Sequence, residues 1–238
     1  MISIIIPTYF EEKYIGNCLR SIKKNSFKDI EIIVVDSNSL DRTREIAKKY
    51  ADRVINIKSR GVGKARNLGA KIAKGDVLVF VDADTTLSKN FLGEFEDIFK
   101  NKEIVYSSGY LKGKNENMSF FLNIYQYFWF GGVNIMSSIC SFFGCPLFTT
   151  VYGFRKWVFE KVGGFDEKLA IAEDLDVALK VKRFGKYYLN KKCLSFTSTR
   201  RIKKYGAIKN FFMFLSGYFR VFILKKKPWI EDFPHVDL

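Results

Sequence analysis

Four short β-branched runs, separated by stretches of helical periodicity, fill the first 84 residues and leave few ways for this chain to fold. Ile2–Ile6, Ile30–Val35, Arg53–Ile57 and Val77–Val81 read as strands, and the first, second and fourth are continuously apolar. Strands buried on both faces of a parallel sheet have this composition. Between the first two, Ile15, Cys18, Leu19 and Ile22 recur at helical spacing. A helix is expected around Asp41–Ala51, after a Ser37-Asn38-Ser39 loop that supplies capping side chains. Ala65, Leu68 and Ile72 mark another helix. The β-α-β-α-β-α-β order implies right-handed crossovers and a Rossmann-like α/β sheet, mostly parallel and flanked by helices, whose ligands bind beyond the carboxyl ends of the strands.

The second half differs in kind. Asn117–Phe154 is a run of 38 residues with no formal charge, twelve of them aromatic, yet it contains Asn123, Gln126, Asn134 and Pro146. It reads as a subdomain core, an interfacial aromatic surface or a membrane span. Val177–Ile230 holds fifteen Lys or Arg and no acid, so this last quarter carries the whole net charge of +15. Within it, Ile208, Phe211, Phe212, Leu215, Phe219, Phe222 and Ile223 predict an amphipathic helix. Such a basic block calls for an anionic partner. The four cysteines form no C-x-x-C pair and the only histidine is His235. This pattern, with no signal sequence at the start, fits a reducing cytosol rather than a disulfide or zinc framework.

The acidic residues sit at strand ends. Asp36 closes the second strand, and Asp82 and Asp84 follow the fourth. Two carboxylates two residues apart repel unless a cation lies between them and an anionic ligand, which suits Mg²⁺ or Mn²⁺ bridging to a diphosphate. Gly61-Val62-Gly63-Lys64-Ala65-Arg66-Asn67 lacks the dinucleotide-binding spacing and reads either as an ordinary glycine-rich turn into a helix, with Lys64 and Arg66 solvated, or as a helix N-terminus offered to an anion. Glu173-Asp174 opens a further helix, where acids complement the dipole or serve as a base.

Taken together, these segments resemble the family 2 glycosyltransferases, which have the GT-A fold. The likeness rests on Ile4-Ile5-Ile6-Pro7-Thr8-Tyr9-Phe10-Glu11-Glu12, Val34-Val35-Asp36-Ser37-Asn38-Ser39-Leu40-Asp41-Arg42-Thr43, Gly63-Lys64-Ala65-Arg66-Asn67-Leu68-Gly69 and Phe80-Val81-Asp82-Ala83-Asp84. Gly153-Phe154-Arg155, Gly163-Gly164-Phe165-Asp166-Glu167 and Glu173-Asp174-Leu175-Asp176 extend it to about residue 185. The resemblance implies transfer with inversion from a UDP- or GDP-sugar. It implies Pro7, Thr8 and Glu11 bordering the nucleotide, Asp36 on the base, and Arg66 by the nucleotide or diphosphate. Asp82 would meet the ribose or metal shell, Asp84 the metal, and Asp174 would be the base with Glu173 in support. The chain departs from the family at Phe10, which replaces the usual Asn, and at Ser37-Asn38, which replaces the common Asp-Gly. It also has no late histidine before His235; Arg200 and Arg201, after a strand-like Leu194–Phe196, are the alternative diphosphate ligands.

The expected organisation is a glycosyltransferase domain over 1–205, split into a nucleotide-sugar half (1–110) and an acceptor half (111–205), with a basic amphipathic helix and tail over 206–238. The basic block and the aromatic run predict a cytoplasmic enzyme held peripherally at the inner face of the cell membrane, acting on a glycan, a polyprenyl phosphate or another lipid-linked acceptor. Two competing readings are a sugar-phosphate nucleotidyltransferase and a nucleic-acid-binding protein. The first lacks its glycine-rich loop after strand one. The second lacks a recognition module and does not account for the carboxylates, so no nucleic-acid partner is expected.

Overall fold

A computed structural model describes residues 1–114, 120–142, 150–169 and 171–206, together with residues 209, 212, 216 and 219. The expected helix over 208–223 therefore lies almost wholly outside the described residues, as does the tail to residue 238. An eight-stranded sheet has the order β3-β2-β1-β4-β7-β6-β8-β5. Its strands are β1 (Ile2–Thr8), β2 (Ile30–Asp36), β3 (Arg53–Asn56), β4 (Val77–Val81), β5 (Thr85–Leu87), β6 (Ile104–Gly113), β7 (Val151–Arg155) and β8 (Lys186–Thr197). The four expected strands form the parallel half, with register pairs Thr8↔Asp36, Ile5↔Phe80 and Asp36↔Asn56. Beyond β4 the sheet turns mixed: β7 is antiparallel to both β4 and β6, whereas β6 and β8 run parallel.

Helices cover both faces, as the continuous apolar strands require. On one face α1 (Ile15–Lys23), α2 (Thr43–Lys48) and α4 (Phe91–Lys100) pack on Ile4, Ile6, Ile32, Val34 and Val79. On the other, α3 (Val62–Ile72), α6 (Lys156–Lys161) and α7 (Glu173–Val181) pack on Ile5, Ile33, Val35, Leu78 and Phe80. Alternate side chains of one strand thus feed two separate cores. Helix α2 is shorter than the predicted Asp41–Ala51, because Asp41 accepts hydrogen bonds from the amides of Thr43 (3.0 Å) and Glu12 (3.2 Å) and stays in the loop.

The uncharged run contributes α5 (Phe120–Phe142) and β7. Helix α5 lies against β6 and β8, and a small third cluster joins Leu111 and Phe130 to Ile202 of α8 (Arg200–Tyr205). No described helix is long and apolar enough to cross a membrane.

Candidate active site

The carboxyl ends of β1, β2 and β4 share one edge, which brings their loops together. Asp36 is fully buried there. Its Oδ1 accepts from the Ser39 amide (2.8 Å), and its Oδ2 accepts from the hydroxyls of Thr8 (2.8 Å) and Ser39 (2.6 Å). Arg44 Nε lies 3.5 Å from Oδ1. Asp36 therefore braces the β1 and β2 loops against each other. Both departures at this edge have a structural reason. Asn38 adopts a left-handed backbone (φ 62°), which asparagine tolerates, so no glycine is needed. Phe10 is also left-handed (φ 55°), and its amide donates to Ser39 Oγ (2.9 Å) while the Glu11 amide donates to Thr43 Oγ1 (2.8 Å). The Ser39 and Thr43 side chains thus hold a loop that the usual Asn would help to fold. Pro7 is half-buried beside them.

Helix α3 accounts for its own motif. Gly69 lets the helix sit on β1, since a Cβ there would be 2.4 Å from Ile5 Cγ2. Asn67 clamps the turn before α7: its Nδ2 donates to the Phe165 carbonyl (2.9 Å) and its Oδ1 accepts from the Phe165 amide (2.9 Å). Arg66, just before Asn67 and only 5 % exposed, donates to Asp82 Oδ1 (2.7 Å) and Glu173 Oε1 (2.5 Å). Its guanidinium lies over the rings of Tyr152 and Phe165, each at 5.6 Å. One cation therefore ties together the β4 loop and the start of α7, which are far apart in sequence.

Asp174 stands next to this node, with Oδ1 accepting from the Leu175 amide (2.8 Å). Burial and then the Glu173 charge push its carboxyl up to about 7, against the pull of Arg66. Burial likewise raises Asp82 to about 6, with Arg66 opposing and Asp84 adding to the rise. The residue before the pair, Ala172, is buried in a left-handed conformation (φ 66°). A non-glycine residue held there is strained, and such strain gathers at functional sites.

A second arginine governs the other side. Arg200 grips Glu11 with both ends (2.6 and 3.0 Å), reaches Asp84 Oδ2 (3.2 Å) and stacks on Tyr14 (4.6 Å). Asp84 Oδ1 accepts from Thr197 Oγ1 (3.3 Å), and Lys114 donates to the Asp84 carbonyl (2.5 Å). Burial lowers Arg201 to about 10, while Asp84 opposes and Arg200 adds to the fall. Desolvated cations of this kind suit phosphate oxygens. Asp82 and Asp84 present hard oxygen donors from one turn and keep 35 % and 14 % of their side-chain surface exposed. No group of three metal-ligating side chains occurs among the described residues; these two carboxylates could serve a Mg²⁺ or Mn²⁺ ion whose shell is completed by water and substrate phosphate once Arg200 leaves Asp84 Oδ2.

Pro7, Thr8 and Asp36 fall at this edge, Glu11, Arg66, Asp82, Asp84, Glu173 and Arg200 belong to the two arginine nodes, Asp174 adjoins the first node, and Arg201 follows Arg200 in the chain. Three participants were missed. Tyr152 places a buried hydroxyl with no hydrogen-bond partner among the described residues beside the Arg66 node. Tyr14 and Lys114 support Arg200 and Asp84. Tyr152 directly precedes the Gly153-Phe154-Arg155 element, the one signal that could have flagged it. Next to Tyr14, an open groove of about 610 Å³ between α1 and β5 is lined by Lys13, Arg20, Lys24 and Lys114 and, among the described residues, by no acid.

Comparisons with known proteins bear on the family and the fold. The chain is 33% identical over 126 residues to the uncharacterized glycosyltransferase EpsJ of Bacillus subtilis, covering 50% of this chain and 37% of that protein. It is 40% identical over 99 residues to the poly(ribitol-phosphate) beta-N-acetylglucosaminyltransferase TarS of Staphylococcus aureus, covering 38% of this chain and 17% of that protein. The chain thus spans well under half the length of these relatives. Residues 1–349 of TarS in complex with UDP share the fold, with a TM-score of 0.66 at 24% identity over 95% of this chain and 75% of that one. So does the mannosyltransferase PcManGT of Pyrobaculum calidifontis in complex with GDP-Man and Mn²⁺, at 0.65 and 18% identity over 88% and 62%. The model of glycosyl transferase family 2 matches residues 3–146, more than half of the sequence; the chain has the GT-A fold and belongs to that family.

Proposed function

We propose that this protein transfers a sugar, with inversion, from a UDP- or GDP-sugar to a hydroxyl or phosphate oxygen of an acceptor: a glycan, a polyprenyl phosphate or another lipid-linked molecule at the inner face of the cell membrane. The observation that carries the reading is the position of Asp174. It is a desolvated carboxyl raised to about 7, joined through Glu173 and Arg66 to the acidic turn after β4. A general base works best when its pKa lies near the working pH.

In this reading Pro7, Thr8 and Asp36 form the wall for the nucleotide, with Asp36 acting mainly by bracing the loops. Arg200 and Arg201 receive the diphosphate, and Glu11 keeps Arg200 in place. Asp82 and Asp84 would hold a divalent ion, which would supply charge neutralisation to the leaving diphosphate. Asp174 accepts the proton of the acceptor hydroxyl as that oxygen bonds to the anomeric carbon. The bond from the anomeric carbon to the diphosphate oxygen breaks, and the nucleoside diphosphate leaves with the electron pair. The basic lining of the groove beside Tyr14 supports an acceptor that carries negative charge. Where a phosphate oxygen itself attacks, it is already ionised and Asp174 serves to position it.

Product analysis tests the proposal. Incubation with UDP- or GDP-sugars, Mn²⁺ and an acceptor extract is expected to release free nucleoside diphosphate. Absence of nucleoside diphosphate, with pyrophosphate released when a nucleoside triphosphate and a sugar 1-phosphate are supplied instead, would mean nucleotidyl transfer and would overturn it.

A further inference from the structure

Helix α5 is built inside out. Its sheet-facing side, where a surface helix keeps its apolar stripe, mixes Phe130 and Val133 with buried Gln126 and Ser137. Asn134 on the same side docks on the β6 backbone: its Oδ1 accepts from the Leu111 amide (3.0 Å) and its Nδ2 donates to the Leu111 carbonyl (2.8 Å). Ser138 Oγ bonds the Tyr110 hydroxyl at 2.7 Å. The outward face carries Phe121, Tyr127 and Phe128, which are 81%, 79% and 72% exposed, in line with Ile124, Ile135 and Ile139. These positions recur at spacings of three, four, seven and eight, which makes one continuous face of a helix about 34 Å long. No charged residue interrupts the 23-residue helix.

We infer that this outward face of α5 lies in the headgroup region of an anionic lipid leaflet, with the helix axis parallel to the membrane. Three observations choose this occupant over water or a second copy. The face is rich in aromatic rings, which favour the interface between headgroups and hydrocarbon. It is flanked by cations: Ile202 of α8 packs with Phe130 and Leu111, which sets exposed Lys203 and Lys204 beside α5, and Lys209 follows over the Tyr205 ring. A second copy would bring the same cations against one another, whereas an anionic leaflet complements them. Finally, the Asn134–Leu111 pair holds α5 flat against the sheet, so the helix is presented along a surface rather than end-on. The inference deepens the membrane placement proposed above and rests on it; the transfer chemistry is independent of it.

Flotation of the full chain at low salt, with phosphatidylcholine vesicles containing or lacking phosphatidylglycerol, tests the inference. The wild type is expected to float with the anionic vesicles only. The Phe121→Gln, Phe128→Gln, Ile135→Gln triple variant changes exposed side chains to good helix formers, and its vesicle affinity is expected to fall by roughly tenfold or more. The Tyr127→Trp variant keeps the apolar face, and its added fluorescence is expected to be quenched by brominated anionic lipids. A wild type that stays with neither vesicle overturns this inference and the membrane placement together. Equal flotation of wild type and triple variant, or an unquenched Tyr127→Trp variant, overturns the role of α5 alone. A wild-type dimer that the triple variant converts to a monomer with unchanged flotation assigns the face to a second copy and also overturns it.

Discussion

The arginine-linked crevice and helix α5 solve opposite problems. In the crevice, charge is taken out of water and matched: Arg66 satisfies Asp82 and Glu173, and Arg200 satisfies Glu11 and Asp84. On α5, apolar area is left in water and polar groups are turned inward to the β6 backbone. Removing one partner of a buried ion pair leaves an uncompensated charge and costs several kcal/mol. Exposing aromatic surface costs nothing extra once a nonaqueous partner covers it. The difference teaches that the crevice is organised around matched buried charge, and the helix around an outward apolar face.

Four substitutions sharpen this contrast, in falling order of expected effect. Asp174→Asn should lower turnover by about 10²–10⁴, while calorimetry finds donor affinity within error of the wild type. Arg66→Leu strands two carboxylates in the crevice and should destabilise the fold by about 3–5 kcal/mol in urea unfolding; an unchanged midpoint would mean that the node is not a buried ion cluster. Asn134→Ala leaves the Leu111 amide and carbonyl under α5 without their partners. It should cost about 1–3 kcal/mol without altering turnover in detergent-free donor hydrolysis.

The smallest expected effect is a shift in pH dependence. Asp174 must lose its proton to act, so turnover should rise with pH through about 7. Glu173→Gln removes the like charge that helps to raise Asp174, and the acid limb should move to lower pH in a pH–rate profile. The linkage to stability runs the other way. The raised carboxyl binds its proton more tightly folded than unfolded, so its contribution is complete below the unfolded value of about 3.9 and is lost as pH rises through about 7. Asp174→Asn should flatten that part of the stability curve.

The two regions also differ in how far the sequence reveals them. Strands β1, β2 and β4 were legible because a β-branched run buried on both faces has no competing period, and Asp82 and Asp84 were legible because they follow such a run. The partners of Arg66 and Arg200 were not. Arg66 meets Glu173 across 107 residues and Arg200 meets Glu11 across 189, and no local spacing encodes contacts of that range. Of the mixed half only Leu194–Phe196, near the end of β8, was legible, since the first part of β8 mixes exposed and buried positions and β6 ends in more exposed ones. The orientation of α5 could not be read at all. A helix without charges has apolar residues all round, and its inward face was decided by Asn134 and Ser138 finding β6.

The account stands on the claim that the acidic turn after β4 and the arginines facing it together bind a nucleoside diphosphate. Thermal unfolding with UDP and GDP, each with and without Mn²⁺, measures this most directly. At a nucleotide concentration near a hundred times the dissociation constant, the wild type should gain about 2.7 kcal/mol when the ion is present, and Asp84→Asn should lose most of that gain. A melting temperature that no nucleoside diphosphate moves, whatever ion is supplied, would contradict it.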